Sequence, residues 1–269
     1  MMGAHHAASG AAVWLALTTQ LDVGLAPLAQ HIPAMPDHLT LGMGLMDVSP
    51  AGVVAGALVA AGAALVPDAD HRHATIAHSL PPLSNVLCIQ IGKLSGGHRH
   101  GTHSLLGLAV FVAIAALAGM WQLELSGFGT VYPGAGILAV LLASFAAKSL
   151  KIIPDTMQKF PWLVGLAVGA FVAFYAPQEP YWFPLTMALG VATHIAGDML
   201  TTGGCNLLWP LRIRPPRLLQ KLPLVKKFWR PNGNIAIPIL GNAGSVREWL
   251  LLVPLSGYVI WAIADAIFA

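Results

Sequence analysis

Long apolar runs separated by short polar stretches set the rhythm of this chain. Runs near residues 9–29, 50–66, 103–122, 134–150, 161–176, 183–200 and 248–268 each approach the roughly 17–25 residues that carry a helix across a bilayer. The pattern predicts an all-α fold, a polytopic transmembrane helix bundle of about seven spans. Gly and Ala fill several of the runs, and small side chains let helix backbones approach closely in lipid. The largest polar stretch, residues 201–247, is expected to form a long basic loop on one side of the bundle.

Charge orients this bundle. The 14 Lys and Arg residues fall in alternate connections: Arg72, Lys93 and Arg99 after the second run; Lys148, Lys151 and Lys159 around the end of the fourth; and Arg212, Arg214, Arg217, Lys221, Lys226, Lys227, Arg230 and Arg247 after the sixth. The intervening stretches near 30–49, 123–133 and 177–182 carry none. Basic loops stay in the cytoplasm, so the N-terminus is expected there and the C-terminus on the far side of a bacterial inner (cytoplasmic) membrane. With 56% hydrophobic and 9% charged residues, the composition excludes an ordinary soluble domain, in which about a quarter of residues are charged. Cys88 and Cys205 make no disulfide framework. The opening "MMGAHHAASG" lacks the basic start and cleavage site of a secretory signal and is expected to remain in the mature chain.

Against this topology, the His and Asp residues gather at one leaflet. His5 and His6 precede the first run, "PDADH" with Asp68, Asp70 and His71 closes the second, "HRHGTHS" with His98 and His103 opens the third, and His194 and Asp198 close the sixth. Each group has a plainer reading: a solvated N-terminus, a proline-ended turn with capping aspartates, and a helix start capped by Thr102 or Ser104. His194 and Asp198 resist one, because ionisable groups inside a span are costly and functional by default. Their spacing of four puts both on one helix face, able to bind one ion or bridge two. Four distant segments bringing His and Asp to one face point to a metal site. His31, His38, His73, His78 and His100 read as structural or surface residues.

The motifs "LVPDADH" (65–71), "GHRHGTHSLLG" (97–107) and "HIAGDMLTTGGCNLLWPLR" (194–212), with His6 and the small Gly10 four residues later, resemble the YdjM-like family of LexA-regulated inner-membrane proteins regarded as metal-dependent hydrolases. That family is similar in pattern to the zinc-dependent phospholipase C and single-strand nuclease group, in which His and Asp from several helices hold a cluster of ions. The resemblance implies hydrolysis of a phosphoester. This chain departs from the usual His-Arg-Gly-x-Thr-His by carrying His100 in place of Gly and Gly101 at the variable position, which bears on where Arg99 is aimed.

The residues themselves carry the chemistry further. His6, Asp68, His98, His103, His194 and Asp198 are too many ligands for one tetrahedral ion and leave water positions on two. Imidazole with carboxylate suits zinc, or manganese, better than magnesium, and two such ions activate a water and hold the oxygens of a scissile group. Asp70 is a candidate base or additional ligand. Arg99, with its forked guanidinium, suits charge building on a phosphoryl oxygen; its plainer role is an interfacial anchor. Thr201 and Gly204 read as structural, and "NIAIPI" (234–239) as an extended segment. The loop "RIRPPRLLQKLPLVKKFWR" interleaves basic residues with Leu, Pro and Trp, which suits an anionic leaflet more than nucleic acid. The expected partners are therefore membrane lipid and a lipid or other phosphoester substrate, with no specific nucleic acid.

The chain thus reads as one integral membrane hydrolase domain over 1–269, including the basic cytoplasmic loop at about 201–247, with its metal site at the cytoplasmic face. Two other classes compete. One is a metal-dependent lipid amidase or esterase similar to the seven-span ceramidases, whose paired His motif is absent. The other is a metal transporter or sensor, against which the gathering of ligands at one face, and not at mid-membrane, argues. The type-2 phosphatidic acid phosphatases share a His-x-x-x-Asp motif, but their accompanying Pro-Ser-Gly-His is missing.

Overall fold

A computed structural model describes residues 1–32, 34–78, 82–150, 161–179 and 181–268. The chain is mostly helical. Its principal helices are α1 (Gly3–Thr18), α3 (Pro50–Ala63), α4 (Leu83–Leu94), α5 (Leu105–Gly119), α6 (Pro133–Ser149), α7 (Pro161–Tyr175), α8 (Trp182–Met199) and α10 (Val246–Phe268), with short α2 (Ala26–Ala29) and α9 (Pro223–Phe228) between them. Among the described residues two small antiparallel hairpins accompany them, β1 (Leu21–Gly24) with β2 (His38–Leu41) and β3 (Leu123–Leu125) with β4 (Gly129–Val131).

α3 is the hub. α1, α6, α8 and α10 all pack on it, and its sequence "PAGVVAGALVAAGA" offers small residues on every side, the composition that lets helices meet backbone to backbone. Glycines on the neighbours allow two close approaches: a Cβ on Gly10 of α1 would stand 2.5 Å from the Ala60 carbonyl oxygen, and one on Gly190 of α8 would stand 2.7 Å from the same atom. The Trp14 indole closes the other end of the α1 and α3 contact, donating from Nε1 to the Val53 carbonyl at 3.0 Å.

Every apolar run contains a helix, but the expected count of about seven spans is corrected. Only two helices among the described residues are long and apolar enough to cross a membrane by those criteria, the α3 segment Pro50–Asp70 and α10. α5, α6 and the apolar part of α7 are shorter. α10 is also almost bare, with Leu250, Val253 and Ile260 each close to 70% exposed, a large apolar face of the kind that lipid covers.

The first run is shifted. Its helix ends at Thr18, where the Thr18 and Thr19 hydroxyls donate back to the Trp14 and Leu15 carbonyls, and the remainder becomes strand β1. His5 and His6 therefore lie inside α1 instead of preceding it, and both are buried. α4 falls outside the apolar runs; at 12 residues it is too short to register as a span and buries only Ser84 and Cys88. The polar segment 201–247 folds back on itself through bridges of Thr201 with Gly241 and of Ile235 with both Cys205 and Trp229, so "NIAIPI" is extended. Lys151 and Lys159, used to orient the bundle, lie outside the described residues.

Candidate metal centre

The helices place the polar side chains at one end of the bundle. His6 comes from the first turn of α1, Asp68 and Asp70 from the 3₁₀ turn Val66–Asp70 that continues α3, His98 and His103 from the segment leading into α5, and His194 and Asp198 from the last turns of α8. That 3₁₀ turn follows from Pro67, which cannot continue the hydrogen-bond ladder of α3. The α5 start is fixed by Ser104, whose hydroxyl accepts from the Gly107 amide at 3.1 Å. The loop before it is tight: a Cβ on Gly101 would stand 2.8 Å from Ser95 Cα. Arg99 adopts a left-handed φ of 64°, a conformation uncommon outside glycine and held here by Asp70, whose Oδ2 accepts from the Arg99 amide at 3.1 Å.

All six expected ligands meet. Three sets bring their ligand atoms within 4.8 Å of one another: His6, His194 and Asp198; Asp68, His103 and His194; and Asp70, His98 and His103. His194 joins the first two and His103 the last two. His194 Nδ1 donates to the Ala64 carbonyl at 2.7 Å, and His103 Nδ1 is within reach of Asp70 Oδ2 at 3.2 Å and Thr102 Oγ1 at 3.0 Å. The two Nε2 atoms face each other at 3.1 Å. Around them stand Asp68 Oδ1, 3.6 Å from His103 Nε2 and 3.7 Å from His194 Nε2, and Asp198 Oδ2, 3.6 Å and 3.8 Å from the same atoms. Four ligand atoms pointed at one space can share a proton or take a cation among them. Their separations fit one, since ligands at about 2.0–2.1 Å from a tetrahedral ion lie about 3.3 Å apart.

A second space opens beside the first. His6 stacks on His194 with ring centroids 3.7 Å apart. It is 1% exposed, yet neither of its nitrogens has a hydrogen-bond partner. Its Nε2 is 3.3 Å from Asp198 Oδ1, so Asp198 turns one oxygen to each space. The residues present therefore fit divalent cations: buried imidazole nitrogens, those of His6 without a hydrogen-bond partner, interleaved with carboxylates. The thiols do not join them. Burial, with the Asp198 charge second, pushes Cys205 well above the ordinary thiol range, and burial followed by Asp70 pushes Cys88 up to about 11, so both stay protonated.

Asp70 and Arg99 are each held by several partners. Asp70 has both oxygens engaged, Oδ1 with His98 Nδ1 at 2.8 Å and Oδ2 with the Thr102 hydroxyl at 2.7 Å, besides the Arg99 amide. Arg99 reaches Asp198 Oδ1 at 3.0 Å and Thr201 Oγ1 at 3.2 Å, passing over Gly203, where a Cβ would stand 2.0 Å from its Nη1. The amino group of Met1 also contacts Asp198. A cavity of about 350 Å³ lined by Asp68, His71, His98, Arg99 and Asp198 opens onto the cluster.

Sequence reasoning missed several partners. Thr102 was read only as a cap, although its place inside "HRHGTHS" marks it. Glu248 was passed over: it is fully buried, pairs with His5, and accepts from the Met2 and Gly244 amides at 2.6 Å and 2.7 Å. A lone carboxylate at the head of an apolar run was the available signal. The Ala64 carbonyl that fixes His194 has no sequence signature.

Fold and site together define a helical membrane protein with a buried His and Asp cluster at one end of its bundle. No curated protein and no solved structure gives a match to the chain. The model of the YdjM inner membrane protein family matches residues 1–267, and the chain belongs to that family.

Proposed function

We propose that the protein is a multi-pass inner-membrane hydrolase that uses two divalent cations, zinc or manganese, to cleave a phosphoester of a lipid or other membrane-associated substrate at the cytoplasmic face. The observation that carries the reading is the pair of His103 and His194 Nε2 atoms at 3.1 Å with Asp68 and Asp198 around them, because imidazole and carboxylate atoms converging on one space are the donor set of a divalent cation. His103, His194 and Asp68 would hold one ion, and His6 and Asp198 the other. An imidazole whose Nδ1 proton is committed has a single lone pair, so His194 serves one ion at a time. Bound there, such ions supply Lewis-acid activation of a water and charge for the oxygens of the scissile group.

The chain's own residues do the rest. Asp70 holds the Nδ1 sides of His98 and His103 and so aims their Nε2 atoms inward, the outer-shell carboxylate role; with both oxygens engaged it positions ligands and does not serve as the base. Arg99, at the wall of the cavity, presents a forked guanidinium to an anionic oxygen of the substrate. The confinement of basic residues to alternate connections supports a cytoplasmic N-terminus, and the exposed apolar faces of α5 and α10 support burial in lipid.

Metal analysis of the purified protein, followed by phosphate-release and fatty-acid-release assays on bacterial lipids, tests the reading. Bound zinc or manganese with phosphate release is expected. His194→Ala and Asp198→Ala are expected to lose metal and turnover together while inserting normally, and His38→Ala, on exposed strand β2, to change neither. Fatty-acid release alone would move the assignment to an amidase or esterase. Full metal content in both site variants would refute it.

A further inference from the structure

The segment 201–247 encloses a second cavity, of about 400 Å³, that the metal cluster does not use. Leu208, Leu211, Ile213, Phe228 and Trp229 line it, with Asn206 among them. Its walls are apolar apart from that one side chain. Asn206 is 2% exposed, and its Nδ2 has no hydrogen-bond partner. A cavity of this size with apolar walls has the form of a site for an apolar ligand.

Charge narrows the ligand further. Arg212, Arg214 and Lys227 are exposed and alternate in the sequence with lining residues, and residues 201–247 contain no Asp or Glu. An apolar interior under a uniformly basic surface complements an amphiphile whose head is anionic. Hydrogen bonds also tie the wall of this cavity to the metal cluster. The Asn206 amide donates to the Arg99 carbonyl at 3.1 Å, and the Arg99 side chain reaches Asp198.

We propose that this cavity holds an acyl chain of an anionic membrane lipid, its head group lying among Arg212, Arg214 and Lys227. The inference deepens the lipid reading above and rests on it for its catalytic meaning; the binding itself does not require turnover.

Photo-crosslinking tests it. The full chain is reconstituted in phosphatidylglycerol vesicles, and in phosphatidylcholine vesicles for comparison, each with a tracer lipid carrying a diazirine on the acyl chain. Labelled peptides are then mapped. Residues 206–213 and 228–235 are expected to carry label in phosphatidylglycerol and much less in phosphatidylcholine. Leu211→Asp, at a 63% exposed position, is expected to cut that label by about tenfold, since a charge placed in an apolar site is strongly disfavoured. Arg212→Gln combined with Arg214→Gln, both at exposed positions, should remove the preference for phosphatidylglycerol over phosphatidylcholine. The label should survive in His194→Ala, because the cavity is built from other residues. Label confined to α5 and α10, equal label in Leu211→Asp and wild type, or label lost along with the metal would each overturn the assignment. Cavity labelling without hydrolysis of any lipid would leave this inference standing and sink the hydrolase reading.

Discussion

Arg99 is where residue identity, backbone and charge meet. Its left-handed φ is held by Asp70, its side chain by Asp198 and Thr201, and its path by the bare face of Gly203. Arg99→Ala is expected to keep its metals and lose turnover by about a hundredfold or more, the scale for removing one transition-state charge partner. Arg99→Lys should recover part of that, since an ammonium lacks the fork. Gly203→Ala should reproduce the loss without touching the charge, because its Cβ occupies the guanidinium's path. Turnover and bound metal measured on the three variants decide it: wild-type activity in Arg99→Ala would make the residue an interfacial anchor. The ligand types and their four-residue spacing on α8 could be read in the sequence. The identity of what each imidazole's other nitrogen bonds could not, because the Ala64 carbonyl comes from a helix 130 residues away.

Helices succeed or fail at this scale by their small residues. α1 and α8 both descend on the Ala60 carbonyl of α3, and those same helices carry His6, His194 and Asp198. A larger side chain at either glycine must push a helix outward and with it a ligand. Gly190→Leu is expected to destabilise the protein by about 1–3 kcal/mol, the range for overpacking, and to weaken metal binding; thermal unfolding in detergent and metal titration check both. Unchanged metal affinity with lowered stability would show that α8 absorbs the strain without moving its last turns. The sequence announced α3, α5, α6 and α8 by their apolar runs. It hid the end of α1, because β1 continues the apolar composition after Thr18 and only pairing with β2 makes it a strand. It hid α4 for the opposite reason, since a 12-residue helix lying outside the hub has too little apolar sequence to stand out.

The whole molecule joins a small-residue hub, a polar cluster at one end and a basic segment folded beside it. If the basic connections are cytoplasmic, reporter tags after residue 128 and at the C-terminus will report the periplasm, and a tag within 215–230 the cytoplasm; a periplasmic report from that last segment would overturn the orientation and the placement of the site. By itself the sequence determined the helical class, the alternation of charge and the pool of His and Asp from which the cluster is drawn, because composition and apolar periodicity are local properties of the chain. Only the tertiary structure decided that both oxygens of Asp70 are engaged, that Arg99 is tied to Asp198, that Glu248 receives His5, and that His103 and His194 turn their Nε2 atoms to one space. Those facts depend on which residues distant in sequence become neighbours, and that is set by how closely the helices pack on α3.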